Sequence, residues 1–118
     1  MSGRLTTHVL DLTAGRPADG MKVELRRVGE AGGAPLRTAE TNADGRLNAP
    51  LLEGEELATG VYELVFYVGD YFRAKGMPQQ DPPFLDTVPI RFGVSDKEAH
   101  YHVPLLVAPG GYSTYRGS

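Results

Sequence analysis

The sequence has no cysteine and no tryptophan in its 118 residues. The missing cysteine excludes a disulfide framework, a thiolate metal site and a cysteine nucleophile, and it leaves the redox compartment open. No segment approaches the ~20 apolar residues that a membrane-spanning helix needs. The start, MSGRLTTHVL, lacks a basic stretch leading into an apolar run of signal length, so a cytoplasmic location is expected. Concentrated positive charge is also missing. Twelve Lys and Arg stand against fifteen Asp and Glu, a formal charge of −3, whereas a duplex-binding protein displays a basic face. Neither nucleic acid nor a membrane is expected as a partner. Nor is there an apolar stripe of helical period and useful length.

What the sequence does have is short runs rich in Val, Leu, Tyr, Phe and Thr, broken by 15 glycines, 9 prolines and scattered aspartates. This pattern reads as all-β, and the length fits one domain over residues 1–118. A domain this small buries only about two thirds of its unfolded surface, so assembly into an oligomer is expected. Strands are predicted over 5–12, 21–28, 35–42, 46–49, 60–68, 86–94, 99–107 and 111–116. Turn signals separate them at Ala14-Gly15-Arg16-Pro17, Asp19-Gly20, Ala31-Gly32-Gly33, Ala43-Asp44-Gly45 and Pro109-Gly110-Gly111. Seven or eight short strands at this spacing predict a β-sandwich. One helix of two turns at most fits 69–76, with Asp70 as a possible N-cap, and the proline-dense 76–86 is an irregular connection.

Successive strand residues point to opposite faces, so parity assigns the core. Tyr62, Leu64, Phe66 and Val68 form one core face, and Val88, Ile90, Phe92 and Val94 another. Tyr101, Val103, Leu105 and Val107 form a third, which sends His100, His102, Pro104 and Leu106 to the opposite side. Pro104 cannot donate to a ladder and marks an expected edge or bulge. The first strand carries apolar residues on both faces, with Leu5, Thr7 and Val9 opposing Thr6, His8, Leu10 and Leu12. A second subunit lying over the His8 face would explain this; a frayed strand with scattered leucines would also do so.

The three histidines are the side chains whose unperturbed pKa suits proton transfer near neutrality. A lone strand histidine is more often structural than catalytic. The spacing of His100 and His102, however, puts two imidazoles on one face, within reach of a shared water, substrate or metal. Arg46 follows the turn at Asp44-Gly45, where its planar guanidinium can hold a carboxylate or a urea-like anion over a pocket or can simply be a solvated turn residue. The ending GYSTYRGS mixes aromatic, cationic and hydroxyl groups behind a single Pro-Gly-Gly turn. Tyr112 to Arg116 is therefore expected to pair as a last strand that holds Tyr115 and Ser118 in place, although a frayed tail is the default for a terminus.

These residues fall into a known pattern. LTTHVLD with GRPA, TNADGR, GDYF, HYHVPLL and the terminal YRGS run from one end of the chain to the other, and together they resemble the transthyretin-like family, within it the 5-hydroxyisourate hydrolase branch. The hormone carrier transthyretin shares that fold but lacks the histidines, the arginine and the ending at the corresponding places. The resemblance implies an eight-stranded sandwich assembled as a homotetramer, a dimer of dimers with active sites along a central channel. It implies hydrolysis of the N1–C6 amide of 5-hydroxyisourate, on the urate-degradation route to allantoin, without a cofactor or a metal. It also implies that His8, Arg46 and His102 converge on the substrate with the terminal Tyr115, Arg116 and Ser118. In that scheme neutral His102, with His8, activates a water, Arg46 stabilises oxyanion charge, and Tyr115 and Ser118 orient the ring. Three other readings compete: a three-histidine zinc hydrolase, a non-enzymatic carrier of a small aromatic ligand, and a β-sandwich interaction module with incidental histidines.

Overall fold

Alternation in the apolar runs becomes two sheets that share one core. The computed structural model describes residues 3–29 and 34–118; the predicted turn at Ala31-Gly32-Gly33 lies outside them. One sheet is ordered β2 (Arg16–Pro17), β1 (Arg4–Asp11), β8 (His100–Ala108), β9 (Gly111–Thr114), with β5 (Leu52–Glu53) also paired to β1. The other is ordered β4 (Arg37–Glu40), β3 (Lys22–Arg27), β6 (Gly60–Phe66), β7 (Val88–Val94). Every pairing is antiparallel except β1 with β8, which run parallel from Arg4↔His100 to Asp11↔Val107. The chain between these two strands builds the whole second sheet.

The core lies where parity predicts. Leu5 and Val9 of β1, Val23 and Leu25 of β3, Leu64 and Phe66 of β6, and Leu105 and Val107 of β8 are wholly buried in one cluster. Burying each such side chain removes roughly 1.5–3 kcal/mol of unfavourable hydration. Phe92 is the exception on β7: it is half-buried and stacks on Tyr62 at 6.0 Å between ring centroids. The helix α1 spans Val68–Ala74 and buries Val68, Tyr71 and Phe72, an i, i+3, i+4 face. It starts earlier than Asp70 suggested, with Tyr67 at the N-cap, because Val68 is drawn into the core; Asp70 sits in its first turn. The Tyr71 hydroxyl donates to the buried carboxylate of Asp11 at 2.8 Å, tying α1 to the end of β1.

Four expectations need correction. Residues 46–49 form no strand, since Arg46 makes only an isolated bridge to His8 and regular pairing resumes at β5. Arg16-Pro17, read as turn, is a two-residue strand on the open edge of β1, where a proline without N–H is tolerated. Pro104 marks neither an outer edge nor a bulge: it is buried within β8 and sits opposite His8 in unbroken register. The last strand stops at Thr114 instead of 116, and Pro104 is the reason. The β8–β9 register that pairs Leu105 with Thr114 returns at His102↔Gly117, so Pro104 falls opposite Tyr115, where it cannot supply the ladder N–H. The Thr114 hydroxyl donates to the Pro104 carbonyl instead, at 2.7 Å.

Candidate active site

Three separate segments cover the outer edge of β1. β2 pairs at Leu10 and Asp11, β5 pairs at Arg4 and Leu5, and between them the turn before Arg46 is inserted against His8. Asn42 organises that turn. Its side-chain oxygen accepts from the backbone amides of Asp44 (2.9 Å) and Arg46 (3.2 Å), and its backbone N–H donates to the Arg46 carbonyl at 2.8 Å. Gly45 completes it with φ +73°, its carbonyl taking the Val9 amide at 2.8 Å. A Cβ at Gly45 would lie 2.3 Å from the Val9 carbonyl oxygen, so no larger residue fits this contact. The turn thus fixes Arg46 beside β1, with its side chain exposed to carry charge into the neighbouring cleft.

The parallel register places Thr6 opposite His102, with His100 on the same face two residues away. The Thr6 hydroxyl lies 2.8 Å from His102 Nδ1 and 2.9 Å from His100 Nε2, and so joins the two rings, whose centroids are 6.2 Å apart. His102 is half-buried and His100 exposed. His102 Nε2 has no hydrogen-bond partner among the described residues. His8 differs: its Nε2 is 2.9 Å from the Asp44 carbonyl. A carbonyl only accepts, so this nitrogen carries the proton, and a base role for His8 could run only through Nδ1.

Arg4, Thr6, Arg46, Asn48, His100, His102 and Ser118 line a cleft of about 290 Å³. Ser118 reaches it because Gly117 donates its amide to the His102 carbonyl at 2.8 Å, bringing the chain end back across β8. The Gly117 backbone lies against the His102 ring, where a Cβ would fall 2.6 Å from Cδ2. Tyr115 and Arg116 do not join this cleft within one protomer. Tyr115 is exposed, and Arg116 stacks 4.2 Å over the Tyr101 ring and donates to the His100 carbonyl at 3.3 Å. Both line a second cavity of about 300 Å³ with Phe92 and Tyr101. A larger hollow of about 560 Å³ lies by Asp11, Arg16, Tyr71 and Lys75. Its buried carboxylate is already engaged by the Tyr71 hydroxyl and by the amides of Thr13 and Ala14, which marks it as structural.

Burial holds the pKa of His102 below the ordinary histidine value, and the nearby charge of Arg46, then His100 and His8, lowers it further. At neutral pH His102 is therefore an unprotonated imidazole beside a fixed cation, the state a general base requires. Among the described residues no three His, Cys, Asp or Glu side chains are grouped to hold a metal ion, so the spacing of His100 and His102 does not become a three-histidine site. No described helix is long and apolar enough to cross a membrane. Sequence reading named His8, Arg46, His102 and Ser118 but assigned no role to Thr6 or Asn42. Their importance depends on a strand register and a turn geometry; the only local signal was their presence in LTTHVLD and TNADGR.

The sequence model of the HIUase/Transthyretin family matches residues 5–117. 5-Hydroxyisourate hydrolase 2 of Rhizobium meliloti (strain 1021) is 59% identical over 117 residues, covering 99% of this chain and 98% of that protein. Among solved structures, the 5-hydroxyisourate hydrolase of Klebsiella pneumoniae superposes with a TM-score of 0.82 at 38% identity, covering 98% of this chain and 99% of the other. (S)-Allantoin synthase superposes with a TM-score of 0.92 at 47% identity over 99% of this chain; the match spans 44% of that longer protein.

Proposed function

The chain belongs to the HIUase/transthyretin family, and on that premise we propose that it hydrolyses 5-hydroxyisourate at the N1–C6 amide in urate catabolism. The observation that carries the catalytic assignment is His102: unprotonated at neutral pH, with Nε2 unpartnered, in a cleft it shares with Arg46 and Ser118. His102 Nε2 takes a proton from a water as the water oxygen bonds to C6. Arg46 stabilises the oxyanion and then the carboxylate product. As the C6–N1 bond breaks, His102 returns the proton to N1, and the Ser118 hydroxyl helps orient the ring. His8 supports Arg46 through the bridge at their backbones and the bond to Asp44.

Assembly as a homotetramer, a dimer of dimers, completes the reading. The outer face of β1 and β8 presents half-buried His8, Leu10 and Leu106, an apolar and imidazole surface suited to a second subunit. Tyr115 and Arg116, turned away from the cleft of their own protomer, would meet substrate only through such an arrangement.

Freshly generated 5-hydroxyisourate, followed by its near-ultraviolet absorbance in the presence of a chelator, should decay faster with the protein. His102→Asn should lower turnover by roughly 100-fold or more. Unchanged turnover in that variant would falsify the assignment of the base. No acceleration by the folded wild-type protein would overturn the activity.

A further inference from the structure

We infer that Thr6 is a positioning residue that locks neutral His102 in the tautomer bearing its proton on Nδ1, and that it does so by donating its own hydroxyl proton to Nε2 of His100. This rests on the proposed hydrolysis, and it names a residue and a proton arrangement that the catalytic scheme above leaves open.

The inference follows from proton counting. Thr6 Oγ1 lies 2.8 Å from His102 Nδ1 and 2.9 Å from His100 Nε2. A hydroxyl has one proton to donate, so both short contacts can be hydrogen bonds only if at least one ring nitrogen donates to Thr6. If His102 accepted at Nδ1, its proton would sit on Nε2, and the ring nitrogen left without a partner would be a donor unable to take a proton from water. With His102 donating, Nε2 keeps its lone pair.

Two features of the surroundings favour the second arrangement. Arg46 exerts the strongest charge effect on the His102 ring, and a nearby cation favours a lone pair on the unpartnered nitrogen over an N–H. His100 is exposed, so its Nδ1–H finds water while its Nε2 accepts from Thr6. The other groups near the pair, Arg4, Ser118 and His8, make no hydrogen bond to the His102 ring that would reverse this choice. The neutral imidazole of free histidine prefers its proton on Nε2, so the hydroxyl is needed to invert the preference.

The test uses full-length protein labelled with nitrogen-15 in histidine, with the ring nitrogen shifts read above the pKa of His102. The wild type and Thr6→Ser should show protonated Nδ1 and bare Nε2 at His102; Thr6→Val, which keeps the shape and loses the hydroxyl, should shift toward Nε2–H. In parallel, kcat should fall about 10-fold or more in Thr6→Val with KM little changed, and recover in Thr6→Ser. A wild-type His102 protonated on Nε2 overturns the inference. So does a Thr6→Val protein with the wild-type tautomer and wild-type kcat. If Thr6→Val fails to fold, the wild-type spectrum still decides. Because the tautomer is read without substrate, loss of this inference is distinguishable from loss of the hydrolase reading, which is judged by wild-type turnover and His102→Asn.

Discussion

In the proposed hydrolysis Arg46 acts twice, and the two actions separate by pH. As the cation proposed to face the reacting carbonyl it would stabilise developing negative charge, and loss of one such donor costs about 10²–10³ in kcat. As a cation near His102 it also helps to keep that imidazole unprotonated, after the larger effect of burial. The base must be neutral to work, and its pKa lies below the ordinary value of 6.5, so activity should fall only as pH drops through that lowered value. In Arg46→Gln burial remains but the charge is gone, so the acid limb of the kcat/KM profile should move to higher pH while the plateau drops. A lower plateau with an unmoved limb would show that Arg46 does not act on His102. At this scale the sequence was informative where chemistry is a property of residue type: imidazoles and a guanidinium could be singled out by pKa and shape. It was silent on Thr6, because a threonine in a strand is unremarkable until a histidine 96 positions later lies beside it.

The Arg46 turn and the chain end bring Arg46 and Ser118 to the cleft formed on β1 and β8, and both use glycine where backbone meets backbone or ring. Gly117 is the sharper case. Its missing Cβ leaves room for the His102 ring, whose Nδ1 is already held by Thr6, so an added methyl at 2.6 Å from Cδ2 must displace either the ring or the terminal segment. Gly117→Ala is expected to lower kcat by about 10- to 100-fold, the scale of a sub-ångström to ångström misplacement, with a melting temperature close to wild type because the affected segment lies outside the core. Wild-type kcat in that variant would show that the ring adapts freely. Elements were legible where alternation was clean, as in β6 and β8, since core burial enforces it. They were not legible where pairing is set from outside. The two-residue strands β2 and β5 exist because β1 has an edge to cover, and β9 stops where Pro104, on another strand, withholds a donor.

For the whole molecule, the two-sheet sandwich could be anticipated from strand spacing and turn residues, and the apolar character of both faces of β1 pointed to a covering subunit. Size-exclusion chromatography with light scattering should give about four times the protomer mass of 12.7 kDa. A monomer that is fully active would remove both the subunit contact and any role for a neighbour's Tyr115 or Arg116. The order of strands could not be read from the sequence, because nothing local announces that β1 will lie parallel to β8. That pairing bears on how the protein comes into being. While the ribosome is still producing the second sheet, β1 has only the short, sparse support of β2 and β5 on one side, and its other edge stays open until β8 follows nearly a hundred residues later. Long-range pairing of this kind is slow and leaves an unpaired strand exposed in the meantime. The cleft is therefore absent from the nascent chain until sheet closure, and the unclosed edge of β1 is the surface most in need of chaperone protection during synthesis.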